Sequence, residues 1–305
     1  MSEVTVQVGG HVTLLFSVNS KALLTRNQGS KGAGLCLEDG VESTVRLAEE
    51  EDRITVTTME GSLLEDGAGL YVELLNSFRE LFGIESSVEI DVRLELPISQ
   101  GFGMSAAGLL ATSLALGEFF DRGDEGQLAR LAHRIERKIS GGLGDVLGLW
   151  AGGCELRIAP GSPPSPGKAV GFSVGEQALL VWDPDCKKHT SSYINNPDWQ
   201  IKISKAGESA VKRLKSYPWN RDVWMHLLEE ADNFAMESGL LEESERANLY
   251  STVLEHTDEL LSPHLCMLGT SVVIVPKNLG EKFDFNELIT RLRSFGLGAK
   301  ETMIQ

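Results

Sequence analysis

Gly101, Gly103 and Ser105 have the types and the spacing that suit phosphate chemistry. The two glycines lack Cβ atoms, so the backbone there can adopt positive φ angles and approach a ligand closely. Ser105 lies where a helix begins, and the first amide groups of a helix lack internal partners and carry the positive end of its dipole. The residues therefore predict a phosphate-binding turn, and a turn that only joins a strand to a buried helix is the alternative.

The neighbouring elements place this turn at a junction between a strand and a helix. Val88–Leu96 alternates apolar and charged residues with the period of a half-buried strand. Leu109, Leu110 and Leu114 supply the apolar periodicity of the helix that follows. Further strands are predicted at 4–8, 12–18, 53–58, 177–182 and 271–275, and further helices at 69–82, 127–139, 204–216, 221–238, 242–256 and 285–295. This order predicts an α+β protein rather than a strictly alternating α/β one.

Composition excludes several classes of protein. The net charge of −16 over 305 residues disfavours nucleic acid and anionic membranes as partners. No apolar run approaches the ~20 residues that span a bilayer, and the N-terminal residues lack the pattern of a secretory signal, so we expect a cytoplasmic protein. The cysteines, Cys36, Cys154, Cys186 and Cys266, lack the spacing of a zinc site and are expected to be reduced thiols.

The stretch Pro97–Ala107 resembles the second motif of the GHMP kinases, a superfamily of small-molecule kinases. Pro97, the glycine step Gly101-Phe102-Gly103 and Ser105 match the family pattern, whereas Met104 stands where the family has its first serine. Within the superfamily, the spelling SQGFGMS most resembles the archaeal pantoate kinases.

This resemblance implies a two-domain GHMP kinase architecture with the active site in the interdomain cleft. The predicted division is an ATP-binding domain at 1–166 and a C-terminal α+β domain at 167–305, with the Pro- and Gly-rich stretch 160–167 at the junction. The stretch 267–271 stands at the place of the third family motif but has only one glycine. The implied cofactors are ATP and Mg²⁺, and the implied ATP-binding residues are Pro97, Ser99, Gln100, Gly101, Phe102, Gly103, Met104, Ser105 and Ala106.

Two carboxylates complete the resemblance. Glu136 flanks the apolar stripe of the predicted helix 127–139, and the loop SGGLGD can bring Asp145 back beside that helix. By resemblance, Glu136 and Ser105 hold Mg²⁺, and Asp145 orients or deprotonates the acceptor hydroxyl. The separation of Glu136 and Asp145 is shorter than in the family. From the residues alone, the alternative for Asp145 is a loop or capping carboxylate, and the alternative for Glu136 is a solvated helix residue.

Acceptor-binding residues are implied nearer the N-terminus. Gly9-Gly10-His11 lies where the family has its first motif, with His11 at the basic position, and a β-bulge with an exposed histidine is the alternative. The glycine-rich stretch 26–34, predicted as a mobile loop, resembles the acceptor side of pantoate kinases. Ser30, Lys31, His11 and Asp145 are therefore implied to bind the acceptor, with an ordinary solvent-exposed loop as the alternative.

The predicted function is transfer of the ATP γ-phosphoryl group to the hydroxyl of (R)-pantoate, giving 4-phosphopantoate for coenzyme A synthesis. The alternatives are another GHMP kinase of the homoserine or mevalonate type and a catalytically silent metabolite sensor of the same fold. The sequence is compatible with a homodimer but does not indicate one.

Overall fold

A computed structural model describes residues 2–139, 142–186 and 191–305 of the chain. Over these residues it has ten β-strands and nine α-helices. The strands are β1 (Glu3–Phe16), β2 (Gly32–Leu47), β3 (Arg53–Thr57), β4 (Val88–Leu94), β5 (Cys154–Ala159), β6 (Lys168–Phe172), β7 (Glu176–Trp182), β8 (Leu261–Leu265), β9 (Ser271–Pro276) and β10 (Gly298–Ile304). The helices are α1 (Gly69–Phe82), α2 (Met104–Phe120), α3 (Glu125–Lys138), α4 (Asp145–Ala151), α5 (Ser191–Ile194), α6 (Pro197–Leu214), α7 (Trp224–Glu237), α8 (Ser244–His256) and α9 (Asn286–Ser294).

The strands form one sheet in two parts, and the fold is α+β as predicted. In the first part, β2 is central and pairs antiparallel with β1, β4 and β5, while β3 pairs parallel with β4. In the second part the order is β10-β7-β9-β8. A single pairing between Ile304 of β10 and Leu37 of β2 joins the two parts. Helices and strands of both parts therefore surround the space between them.

The Pro- and Gly-rich stretch 160–167 is not a junction between the two parts of the sheet. It connects β5 to β6, and these strands pair with each other as a hairpin in the first part. Gly161, Ser162 and Pro163 are buried. Pro and Gly mark chain reversals of any kind, so the sequence signal for a hairpin turn was interpreted as a linker.

Two further predictions at the N-terminus need correction. The strands predicted at 4–8 and 12–18 form the single strand β1, and the break at Gly9-Gly10 is a change of register between Gly9 and His11. The stretch 26–34 runs into β2 at Gly32, and β2 itself was not predicted. Over much of β2, residues on both faces of the strand are buried, so β2 lacks the alternation of apolar and polar residues that reveals a half-buried strand.

Helix α2 lies at the centre of the first part, where it packs against β1, β2 and α3. It is buried on nearly all sides, and its polar residue Thr112 hydrogen-bonds Ser43 of β2 at 2.8 Å. The helix predicted from Leu109 and its neighbours is thus confirmed as an interior helix. Within the described ranges, no helix combines the length and the apolar character that crossing a membrane requires.

Candidate functional site

A glycine-rich loop joins β4 to α2 and lines a cleft between the two parts of the sheet. Ser99, Gly101 and Gly103 all have positive φ angles, of 62°, 79° and 69°, and Met104 begins the helix directly afterwards. Glycine adopts such angles without strain, which explains two of the three residue types. The first amide groups of α2 therefore face the cleft at the positive end of a 17-residue helix.

Gln100 ties this loop to the second part of the sheet. Its side-chain Nε2 donates to the carbonyl oxygens of Asp183 and Cys186, at 2.8 and 3.0 Å. Its own carbonyl oxygen accepts a hydrogen bond from the hydroxyl of Ser271 at the start of β9. Gln100 was predicted to bind ATP, but it does not line the cleft, and its contacts anchor the loop instead.

The cleft encloses about 420 Å³ between the two parts of the sheet. Ile194, Met267 and Leu268 line it from the second part. Among the predicted site residues, those that line it are Pro97, Ser99, Gly101, Phe102, Gly103, Met104, Ser105, Ala106, Glu136, Asp145 and Ser30. Apolar and aromatic side chains also line the cleft, and these include Val56, Leu64, Leu70, Tyr71, Leu94 and Ile98.

The departure at Met104 has a local structural reason. Its side chain is buried, and its Cε atom lies 2.9 Å from the position that a Cβ on Gly10 would occupy. Met104 thus fills space that the glycine leaves open in β1. Ser105, the next residue, is exposed in the cleft at the first turn of α2.

Glu136 lies in the last turns of α3, which begins with a capping box between Asp124 and Gln127. The side chain is 1% exposed and lines the cleft. Neither of its carboxylate oxygens has a hydrogen-bond partner in the described structure. Burial and the nearby charge of Asp145 raise the pKa of Glu136 to about 8. A cation beside this carboxylate would stabilise its charged form.

Asp145 is the first residue of α4 rather than a loop residue. Its Oδ1 atom lies 2.8 Å from Nδ1 of His11 and accepts a hydrogen bond from the hydroxyl of Thr13 at 3.3 Å. Burial alone would raise the pKa of Asp145, but His11, Arg157 and Thr13 outweigh it and lower that pKa. Asp145 is therefore a charged carboxylate at neutral pH, able to accept a hydrogen bond from a hydroxyl group.

Gly142 lies between the two carboxylates. A Cβ at this position would be 2.3 Å from Oδ2 of Asp145 and 2.5 Å from Oε1 of Glu136. The two side chains thus approach the same small space, as the sequence predicted for the turn after α3. Ser140 and Gly141 of the predicted SGGLGD loop lie outside the described residues.

Arg157 of β5 is a cleft residue that the sequence analysis missed. Its side chain is 1% exposed, and it lines the cleft together with Ser30, Thr13 and Asp145. Its Nε atom lies 3.4 Å from Oε1 of Glu155, and its Nη2 donates to the hydroxyl of Thr13 at 3.5 Å. Two charged residues at alternate positions of an otherwise apolar strand, CELRIA, are the signal that could have revealed it.

Lys31 and His11 have other partners than a substrate. Nζ of Lys31 binds the carboxylate of Glu208 on α6, at 2.6 and 2.9 Å, and the side chain does not line the cleft. His11 is fully buried, and its ring nitrogens face Asp145 and Glu155. Neither residue is among those that line the cleft, and the acceptor-binding role of both stays a prediction from the sequence.

Among the described residues, no three or more His, Cys, Asp or Glu side chains gather as a metal site. Mg²⁺ usually takes only one or two carboxylates and completes its coordination with phosphate and water oxygens. Glu136, with two unpartnered oxygens, and the exposed hydroxyl of Ser105 fit that pattern.

Comparisons with known proteins agree with this geometry. Residues 69–153 match the model of the GHMP kinases N terminal domain. The chain is 31% identical over 255 residues to a pantoate kinase of Methanospirillum hungatei, covering 82% of this chain and 79% of the relative. It is 28% identical over 270 residues to a pantoate kinase of Methanocaldococcus jannaschii, covering 88% of this chain and 91% of the relative.

Solved structures resemble the whole chain as well. A phosphotransferase related to the CoA biosynthesis pathway has a TM-score of 0.78 at 25% identity, over 99% of this chain and 96% of that one. Mevalonate kinase from methicillin-resistant Staphylococcus aureus has a TM-score of 0.67 at 15% identity, over 98% and 99%, which supports the fold alone.

Proposed function

The chain belongs to the GHMP kinase superfamily, and we propose that it transfers the γ-phosphoryl group of ATP to the hydroxyl of (R)-pantoate. The product would be 4-phosphopantoate, for coenzyme A synthesis. The observation that carries the proposal is the buried guanidinium of Arg157, which lines the same cleft as the charged carboxylate of Asp145. A hydroxy acid needs one cation for its carboxylate and one acceptor for its hydroxyl proton, and this cleft offers both.

Arg157 would bind the pantoate carboxylate. Arginine presents several N–H donors in a planar fork that matches a carboxylate, and it stays charged when it is buried. Ser30, which is buried at the same end of the cleft, would donate a further hydrogen bond. This assignment replaces the role that the sequence suggested for Lys31 and His11.

Asp145 would orient the pantoate hydroxyl and accept its proton. The imidazole of His11 and the hydroxyl of Thr13 both bind Oδ1, so the carboxylate has a fixed orientation. Its Oδ2 atom is directed towards Gly142 and Glu136, into the space where the phosphoryl group would be transferred. A proton acceptor placed in this way contributes typically 10²–10⁴-fold to a rate.

The glycine-rich loop and the first turn of α2 would bind the phosphates of ATP. Backbone N–H groups at a helix N-terminus attract anions through unsatisfied hydrogen bonds and the helix dipole. The apolar part of the cleft lining, which includes Val56, Leu64 and Leu70, would accept the base. Met267 and Leu268 close the cleft from the second part, and no phosphate-binding role is proposed for that loop.

Ser105 and Glu136 would hold Mg²⁺. When bound, the ion would neutralise charge on the phosphoryl oxygens. Without the ion, burial keeps Glu136 partly protonated near neutral pH, as its raised pKa of about 8 indicates. The cytoplasmic location and the homodimer considered from the sequence remain predictions.

The experiment is an acceptor panel. Purified protein is incubated with Mg-ATP and, separately, with pantoate, pantothenate, homoserine, mevalonate and no acceptor, while ADP and phosphorylated product are measured. ADP release coupled to pantoate alone, with 4-phosphopantoate formed, would support the proposal. Turnover with a different acceptor would contradict the assignment of pantoate as the substrate but would still support phosphoryl transfer as the reaction. ATP binding without turnover on any acceptor would favour a metabolite sensor.

The panel is extended by Arg157→Lys, which keeps the charge but loses the fork. Lysine cannot make the paired hydrogen bonds of a guanidinium, and a hydrogen bond to a charged group is worth about 1.5–3 kcal/mol, so kcat/KM for pantoate should fall by about 10–10²-fold. KM for ATP should stay within about twofold of the wild-type value, because the proposal gives Arg157 no contact with ATP. An unchanged pantoate KM would remove Arg157 from substrate binding.

A further inference from the structure

Glu155 of β5 is a fully buried carboxylate that lies outside the cleft and that the proposed reaction does not use. Its Oε1 atom is 3.1 Å from Nε2 of His11 and 3.4 Å from Nε of Arg157. Burying a carboxylate costs several kcal/mol unless its partners compensate for the lost water. Its presence behind the site therefore requires an explanation in terms of those two partners.

Glu155 belongs to a closed ring of five polar side chains. His11 connects it to Asp145, since Nδ1 of His11 lies 2.8 Å from Oδ1 of Asp145. Arg157 connects it to Thr13, whose hydroxyl in turn donates to Asp145. One buried carboxylate thus contacts both the histidine that holds the proton acceptor and the arginine that lines the acceptor end of the cleft.

The ring is possible because β2, which separates β1 from β5, has glycine at the two positions beside it. A Cβ on Gly34 would lie 2.6 Å from Nε2 of His11, and a Cβ on Gly32 would lie 2.6 Å from Nη2 of Arg157. Gly34 pairs with Thr13 on one side and Glu155 on the other. The glycines of this stretch therefore make room for polar side chains that meet across the central strand.

The hydrogen-bond pattern defines the protonation state of His11. Both ring nitrogens face carboxylates. An ionised carboxylate accepts hydrogen bonds and cannot donate them. A neutral imidazole has one N–H and could donate to only one of them, whereas the imidazolium donates to both. Burial alone would lower the pKa of His11, but Asp145 and Glu155 outweigh burial and raise it. The other ionisable neighbours are Arg157 on β5 and Cys36, which pairs with His11 from β2.

We propose that Glu155 is a positioning residue that holds the His11 imidazolium against Asp145 and the Arg157 guanidinium at the cleft. Through this one carboxylate, the proton acceptor and the cation for the substrate carboxylate keep a fixed relative geometry. The inference builds on the proposed function, because it assigns Asp145 and Arg157 the roles given above. Burying the Glu155 carboxylate lowers the free energy of unfolding, but it fixes the positions of Asp145 and Arg157 relative to each other.

The test is Glu155→Gln in the full chain, which keeps the shape and one acceptor oxygen but removes the charge. Outer partners of metal ligands typically contribute about 10–100-fold to affinity or activity, and we expect an effect of the same order for Glu155, with a fall in kcat and a rise in KM for pantoate of about 10-fold each. KM for ATP should change less than about twofold. The alkaline limb of the kcat profile should move to lower pH, because the imidazolium loses one of its two carboxylates.

Glu176→Gln is the matched control. Glu176 is also buried, pairs with Arg221 at 2.9 Å and accepts a hydrogen bond from the backbone of Gly280, but it does not line the cleft. Both variants should lower the melting temperature. If Glu155→Gln lowers it while leaving kcat, both KM values and the pH profile at wild-type values, Glu155 has only a structural role and the proposal fails.

A second measurement does not depend on activity. Ring ¹⁵N NMR of the six histidines, with the His11 signal assigned from a His11→Gln variant, gives the titration of His11 directly. His11 should stay charged above its ordinary pKa of 6.5 in the wild type, and Glu155→Gln should shift its titration to lower pH. Identical titration in the two proteins would overturn the proposal.

Should Glu155→Gln not fold, Glu155→Asp takes its place and should keep the charge of His11 while raising KM for pantoate. Wild-type protein without pantoate turnover would refute the proposed function, and the NMR titration would still decide the role of Glu155.

Discussion

Gly142→Ala tests whether the space between Glu136 and Asp145 is where the reaction takes place. Gly142 does not have a positive φ angle, so alanine fits its backbone. The added methyl group would lie 2.3 Å from Oδ2 of Asp145 and 2.5 Å from Oε1 of Glu136. Ordinary contact begins at 3.4 Å, so the two carboxylates and the loop must move apart.

The size of the effect follows from the required displacement. Each carboxylate must move by roughly 1 Å, and a misplacement of about 1 Å in a catalytic site can cost about 10²-fold in rate. We therefore expect kcat to fall by about 10²-fold, which corresponds to about 3 kcal/mol in the activation barrier. The free energy of unfolding should decrease by about 1–3 kcal/mol, which is the usual cost of overpacking.

The assay measures kcat at several Mg²⁺ concentrations, together with thermal unfolding. Gly69→Ala at the start of α1 is the control, because a Cβ there meets no atom within 4 Å and the φ angle is also not positive. The control should keep wild-type kcat and Mg²⁺ dependence. A Gly142→Ala protein with kcat within about twofold of wild type and unchanged Mg²⁺ dependence would refute the idea that both carboxylates act at this point.

Three further changes test other parts of the site and fold. Asp145→Asn should lower kcat by about 10²-fold or more while leaving ATP binding unchanged. Burial lowers the pKa of His133 from 6.5 to about 4, so on acidification the unfolded chain takes up this proton before the folded protein does. The contribution of His133 to the free energy of unfolding should therefore be fully present above pH 6.5 and should fall by about 3 kcal/mol as the pH reaches 4. His133→Gln should remove this dependence of stability on pH. Lys31→Ala should leave KM for pantoate unchanged and cost at most about 1 kcal/mol, because Lys31 pairs with the exposed Glu208.

Each of these changes has its own control. Asp198→Asn, in the first turn of α6, should be silent, and an active Asp145→Asn protein would exclude Asp145 from proton transfer. His226→Gln, at an exposed position, should retain the acid-dependent loss of stability measured by urea unfolding. A large rise in pantoate KM for Lys31→Ala, absent in Glu208→Ala, would return Lys31 to the substrate site.

Signals that lie close together in the sequence predicted their structures well. The strand, the glycine turn and the start of α2 follow one another within a short stretch, and each has a local physical cause in periodicity, missing Cβ atoms or helix-end amides. The placement of Glu136 beside Asp145 was predicted for a similar reason, because only a short turn separates α3 from α4.

Residues that act across the sheet could not be found in this way. His11, Glu155 and Arg157 meet only because β1 and β5 both pair with β2, with glycines between them. From the sequence, His11 and Lys31 looked alike as basic residues near a glycine-rich stretch. Their partners depend on strand pairing and on the position of α6, because His11 faces the buried Glu155 and the cleft residue Asp145, whereas Lys31 pairs with a surface glutamate.

The sequence by itself therefore determined the α+β class, the glycine turn before α2 and the two carboxylates at the end of α3 and the start of α4, because short-range geometry controls all of them. Only the tertiary structure decided which cation faces the cleft, which carboxylate supports it from behind, and that the stretch 160–167 is a hairpin connection. The physical reason is that burial and charge pairing depend on residues far apart in the chain, whose distances are set by the register of the sheet.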